Sequence, residues 1–130
     1  MPHYTATSAT TYIAGATVTF ADLTHSNGTI SLNGNATPVA LTTAGQIFRN
    51  LTLAFNTLAK TVIVSGALNV NNDLEVGNSQ TLDLRTNNST AVVSGMVNNV
   101  QGTANGRIDL GAAATFTGAF KINTLVAYLA

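Results

Sequence analysis

The 130-residue chain has no cysteine, no tryptophan, only two prolines and only ten charged side chains. Without cysteine there is no disulfide, no zinc–thiolate centre and no thiol nucleophile. The five cations, Arg49, Lys60, Arg85, Arg107 and Lys121, are scattered and never adjacent. A nucleic-acid interface needs several phosphate-neutralising cations on one face, and a polybasic membrane anchor needs a run of them, so neither is expected. No apolar run approaches the roughly 20 residues of a membrane-spanning helix. Residues 1–15 lack the basic-then-apolar order of a secretory signal. Read from Met1, the chain is expected to reach any extracellular site by lysis or as part of a particle.

The shortage of charge also bears on association. A compact 13.3 kDa monomer exposes roughly 6,500 Å², so the charges are spread at about one per 650 Å². Surfaces that keep small domains apart carry about 25–35% charged residues, whereas this chain has 8% overall and no net charge. Disorder would combine high charge with low hydrophobicity. Here 45% of residues are hydrophobic and the mean hydropathy is +0.27. The expectation is a folded chain that buries part of its outside against neighbours.

What the sequence has in abundance is Thr, Asn, Val and Gly, which favour strands and turns. From Thr17 onward, apolar-x-apolar units recur between turn residues: Val18-Thr-Phe20, Ile30-Ser-Leu32, Leu51-Thr-Leu53, Leu74-Glu-Val76, Ile108-Asp-Leu110. A period of two sends both apolar residues to one face and the polar one to the other. Only Leu51 to Lys60 is long enough to pass for a helix, but its residues are mediocre helix formers with no cap, so it reads as a strand and a loop. A weak repeat links the units. Ile63-Val-Ser-Gly-Ala-Leu-Asn69 matches Val92-Val-Ser-Gly-Met-Val-Asn98 at an offset of 29, and Thr81-Leu-Asp-Leu84 matches Arg107-Ile-Asp-Leu110 at 26. Asn50-Leu-Thr-Leu53 precedes Thr81-Leu-Asp-Leu84 by 31. Unequal offsets in a similar order are those of stacked coils with variable turns. The expected fold is all-β: a short parallel β-helix or β-solenoid, with a β-sandwich or jelly roll as the alternative. One domain over 17–130 follows an extended N-terminal arm, 1–16, that lacks clear alternation.

The features Phe48-x-Asn50-Leu-Thr-Leu53, Leu68-Asn-Val-Asn-x-Asp-Leu74 and Gly77-x-x-x-Thr-Leu-Asp-Leu84 carry a resemblance. The stretch from Phe48 to Leu110, less than half the chain, resembles parallel β-helix segments of haemagglutinin-like and autotransporter surface proteins, and of phage structural proteins. The resemblance implies a fold more than a function.

Candidate chemistry is sparse. Asp73 and Glu75, two apart, have the spacing of paired carboxylates or a calcium site, but a solvated strand face explains them as well. Asp83, Arg85, Arg107 and Asp109 are expected on outer faces, as a small ladder if the two strands stack. His3 and His25 are far apart and form no triad. Sequons at Asn27, Asn35, Asn50, Asn87 and Asn88 arise by chance in such a composition. Thr5/Thr7, Thr17/Thr19 and Thr115/Thr117 do not recur at the repeat offsets, which argues against an ice-binding ladder. No Gly-rich phosphate cradle is present. Neither catalysis nor a cofactor or metal is expected.

The ends are the expected contact sites. Tyr4, Tyr12 and Ile13 are isolated anchors on the arm, and Phe116, Phe120, Leu125, Tyr128 and Leu129 make the last stretch apolar. The expected function is that of a virion structural protein. It would be a decoration or cement protein, or a small spike module, of a tailed phage, with itself (a cyclic trimer) and the major capsid protein or another virion protein as partners. The alternative is a solenoid segment of a secreted bacterial adhesin or surface filament.

Overall fold

The computed structural model describes residues 3–6, 10–20, 22–25, 28–34, 36–53, 59–77, 79–98, 106–111, 113–116, 120–121 and 125–128. These contain strands and turns and no helix. In chain order the strands are β1 (His3–Ala6), β2 (Thr10–Ile13), β3 (Thr17–Thr19), β4 (Asp22–His25), β5 (Thr29–Leu32) and β6 (Val39–Thr42). They continue with β7 (Ile47–Phe48), β8 (Asn50–Leu53), β9 (Thr61–Ser65), β10 (Leu68–Val70), β11 (Leu74–Val76) and β12 (Thr81–Asp83). The last six are β13 (Ala91–Val93), β14 (Val97–Asn98), β15 (Gly106–Asp109), β16 (Ala114–Phe116), β17 (Phe120–Lys121) and β18 (Leu125–Tyr128).

Each strand pairs in parallel with the strand three places along the chain. The first face is therefore β2-β5-β8-β11-β14-β17, the second β3-β6-β9-β12-β15-β18, and the third β7-β10-β13-β16, with β1-β4 as a separate pair. Three short strands and their corners make one turn of a β-solenoid, and about four turns carry all three faces as continuous ladders. A β-sandwich needs two antiparallel sheets packed face to face; the all-parallel ladders leave no place for that alternative.

The alternation read from the sequence builds the core. On the first face Ile30, Leu51, Leu74 and Val97 stack in register. On the second, Val39, Val62, Leu82 and Ile108 do the same. Phe48, Val70 and Val93 line up on the third. All of these side chains are buried, each packed on the apolar residue one coil away at a rise of about 4.8 Å. The Phe20 and Phe48 rings meet edge to face with centroids 5.1 Å apart. Thr52, Glu75, Asp83, Arg107 and Asp109 alternate outward.

The true coil step differs from the repeat offsets in an informative way. Residue 51 sits on 74 and 74 on 97, a step of 23. The offset of 26 is a coil step too, since Thr81, Leu82 and Asp83 pair with Arg107, Ile108 and Asp109. The offsets of 29 and 31 are not. They match β9 with β13 and β8 with β12, strands of different faces. Every face uses the same apolar-x-apolar unit beside a polar corner, so likeness between faces is as strong as likeness between coils.

Residues 1–16, expected to extend as an arm, supply two paired strands. β1 is in register with β4, and β2 with β5, with Ile13 beside Leu32. The Thr-rich composition hid this, because Thr-Thr-Tyr-Ile lacks alternation yet pairs as well as any β-branched run once a ladder exists beside it.

Side chains brace the corners, where the chain leaves one ladder for the next. At the start of β8 the amide of Asn50 donates to the Gly28 carbonyl at 3.4 Å, and its oxygen accepts from Asn72 Nδ2 at 2.8 Å and the Asp73 N–H at 3.2 Å. One coil on, Asp73 Oδ1 accepts the Met96 N–H at 2.8 Å. At the opposite corner Thr43, fully buried, donates to the Ala67 carbonyl at 2.7 Å, and Ser89 Oγ donates to the Val64 carbonyl at 2.8 Å. These bonds satisfy backbone groups that the ladders cannot reach.

Candidate interaction surface

No group of three or more His, Asp or Glu that could hold a metal ion occurs among the described residues. Of the acidic pairs, Asp73 has its carboxylate committed to the Met96 N–H, so it braces a corner. Glu75 stands in the outward row of the first face, in register with Thr52 on one side and Asn98 on the other. It is half-buried there, and the loss of solvent raises its carboxyl above the ordinary value.

The charge ladder on the second face takes a particular form. Asp83 and Asp109 stack directly, like on like, beside Thr81 and Arg107. Each carboxylate is occupied locally. Arg107 Nε donates to Asp109 Oδ1. Asp83 accepts the Arg85 and Thr86 N–H groups, each at 2.9 Å, and the Thr86 hydroxyl at 2.6 Å. Partial burial pushes the Asp83 carboxyl up, but the Thr86 hydroxyl, the two N–H groups and the Arg85 charge outweigh it and hold the group below its usual value. A lowered folded pKa stabilises above the unfolded value, so this contribution disappears as pH falls through the acidic range below that of a free aspartate.

Glu75 works in the other sense. A raised folded pKa favours folding below the unfolded value, and that advantage is lost as pH rises through the folded one. Glu75→Gln is therefore expected to stabilise the chain at pH 7 by under about 1 kcal/mol, discounted for its partial exposure, and to change nothing below pH 4. Thermal unfolding of both proteins at the two pH values checks this. A gain at pH 4 as large as at pH 7 would assign the effect to packing.

The expected anchors divide. Tyr12 is 67% exposed and available for contact, whereas its neighbour Ile13 is 8% exposed and part of the core. Adjacent residues of a strand point to opposite faces, so a paired β2 offers one of them outward, not both. Tyr4, Phe116, Phe120, Leu125 and Tyr128 occupy ladder positions, opposite Leu23, Val93, Val97, Gly106 and Asp109 in register; Leu129 lies outside the described residues.

Three other large apolar residues are exposed away from the expected anchors: Ile47 and Val92, each 43% exposed, and Met96 at 40%. Ile47 and Val92 lie in one outward row of the third face, in which Ile47, Asn69, Val92 and Thr115 stack coil upon coil. None of the residues in β7, β10, β13 or β16 is charged. The signal was present as Ile47-Phe48 and Val92-Val93: two adjacent apolar residues in a strand place one of them outside.

No protein-family model matches this chain, and no match was found among the curated proteins or the solved structures.

Proposed function

We propose that the chain is a structural, self-associating module with no catalytic role, serving as a decoration or small spike component on the surface of a tailed-phage particle. The observation that carries this reading is a parallel β-solenoid with 8% charged residues, one ladder of which, β7-β10-β13-β16, has no charged residue in its strands. A stack of short strands held by backbone ladders on every side is a stiff, extended platform. Its residues are committed to packing and corner bonds, and what remains on the outside is better suited to lateral contact than to binding a small molecule. The likeness of Phe48 to Leu110 to haemagglutinin-like β-helix segments supports the alternative, a segment of a bacterial adhesin or surface filament.

The two readings separate by where the protein is found. Peptide mass spectrometry of density-purified phage particles from the source should recover it in near-stoichiometric ratio to the capsid protein. Recovery from the cell surface or medium, with none in the particles, would overturn the virion assignment in favour of the adhesin.

A further inference from the structure

We infer that Lys121 and Asn98 become joined, once the chain has folded, by an amide cross-link between their side chains, formed with Glu75 as the proton carrier. The cross-link is a chemical property of the first face and does not depend on what the protein is attached to.

Coil length brings the three residues together. Along the first face Thr52 pairs with Glu75, Glu75 with Asn98, and Asn98 with Lys121. Each step is 23 residues (52 to 75, 75 to 98, 98 to 121), so coils of equal length set the four in one straight row. In the sequence Glu75, Asn98 and Lys121 lie far apart. In the ladder an acid, a carboxamide and an amine occupy consecutive levels about 4.8 Å apart. The chain's other lysine, Lys60, lies outside the strands and supplies an internal control.

These three groups are what an intramolecular amide requires. The Lys121 Nζ lone pair attacks Asn98 Cγ, forming the new C–N bond as the carbonyl electron pair moves onto oxygen. When the intermediate collapses, the Cγ–Nδ2 bond breaks and Nδ2 leaves. The Glu75 carboxyl gives a proton to the departing nitrogen and takes one from Nζ, so it ends as it began. In sum, a lysine ammonium and a carboxamide give a secondary amide and an ammonium ion. The balance needs no other reactant.

The setting favours the reaction. Glu75 is half-buried, and the loss of solvent raises its carboxyl above the ordinary value, which favours the protonated form that can donate. Groups held in a reactive arrangement behave as if at roughly 10⁵ M or more in the best cases, and here one event per chain suffices. The flexible four-carbon stem of lysine covers a gap of about 4.8 Å without moving either strand. The product ties β14 to β17, whose ladder is only two residue pairs long, Val97 with Phe120 and Asn98 with Lys121. It fastens the last coil to the one before it, where backbone pairing on this face is short.

Intact mass spectrometry of the denatured full chain tests the proposal. The chain should be lighter than its sequence mass by one ammonia, about 17 Da. Trypsin should then release one branched species that joins residues 86–107 to residues 108–130, uncut after Lys121. Lys121→Arg, Asn98→Ala and Glu75→Gln should each restore the full mass with an unchanged circular dichroism spectrum, while Lys60→Arg should keep the loss. The Glu75→Gln stability comparison at the two pH values is then made between chains carrying Lys121→Arg, in which neither protein is linked. A wild-type chain of full mass would overturn the cross-link. So would an ammonia loss without the branched peptide, which succinimide formation at Asn27-Gly28, Asn33-Gly34 or Asn105-Gly106 would produce. Complete linkage in Glu75→Gln would overturn the part given to Glu75.

Discussion

Leu82→Ala is expected to lower the free energy of unfolding by about 2–5 kcal/mol, and Asp83→Ala, next to it in the same strand, by about 1 kcal/mol. Leu82 is fully buried between Val62 on the preceding coil and Ile108 on the following one. Truncation removes the transfer energy of the lost atoms and leaves a cavity. That cavity is hard to close, because the two neighbours are held by their own ladders at a fixed coil spacing. A loss of this size is a large part of the roughly 5–15 kcal/mol that holds a domain of ordinary size together. Asp83 faces the other way. Its removal costs the bonds to Arg85, Thr86 N–H and the Thr86 hydroxyl, but the freed groups are exposed and find water. Urea titrations followed by circular dichroism give both numbers. Equal costs would mean that the strand faces are exchanged, which a one-residue slip in register produces.

The contrast between Leu82 and Asp83 is legible in the sequence itself, and the reason is physical. In a solenoid every strand has one wet side and one dry side, so alternation in the sequence maps directly onto inside and outside. That holds for Leu51, Leu53, Val62, Val64, Leu74, Val76, Leu82 and Leu84, all of them buried. Coil length was harder to read. The TLDL and RIDL segments stack as their likeness implies. The likeness of Ile63-Val-Ser-Gly66 to Val92-Val-Ser-Gly95 joins strands of different faces, because the same local chemistry is used wherever the chain rounds a corner. Corner lengths vary from turn to turn: residue 61 sits under 81, a step of 20, while 81 sits under 107, a step of 26. A search for one fixed period has nothing to lock onto.

The exposed apolar residues are less legible in the sequence than the core. Anchors were sought at the chain ends, where apolar residues stand out against a Thr-rich background, and Ile13 turned out to be core. The outward row of the third face, Ile47, Asn69, Val92 and Thr115, is spread over residues 47 to 115 and becomes one surface only when the coils are stacked. What local sequence could reveal was the doubled apolar pairs, and what it could not was that they fall on the same face.

The corner between β13 and β14 sets the second large effect. The Gly95 N–H donates to the Asn72 carbonyl at 2.8 Å, beside the Ser94 bond to the Val70 carbonyl and the Met96 bond to Asp73 Oδ1. A Cβ on residue 95 would stand 2.3 Å from that same Asn72 oxygen, 2.4 Å from its carbonyl carbon and 2.6 Å from Asp73 Oδ1. The bond that ties this coil to the one before it thus requires a residue without a side chain. The obstacle is backbone, which cannot swing aside as a flexible side chain would. Gly95→Ala must pull the corner outward and with it weaken all three bonds, so the expected cost is about 3 kcal/mol. Gly45 provides the comparison. It sits at φ +71°, with nothing within 4 Å of the added carbon, so Gly45→Ala carries only the strain of a left-handed backbone, about 1–2 kcal/mol. Thermal unfolding of the two variants ranks them, and native-state hydrogen exchange locates the damage. Gly95→Ala should lose protection at the Ser94, Gly95 and Met96 amides and at the adjoining ladder of β10 and β11, because in a stack each coil leans only on its neighbours. If Gly45→Ala proved the more costly of the two, close approach between coils would not be what demands glycine at position 95.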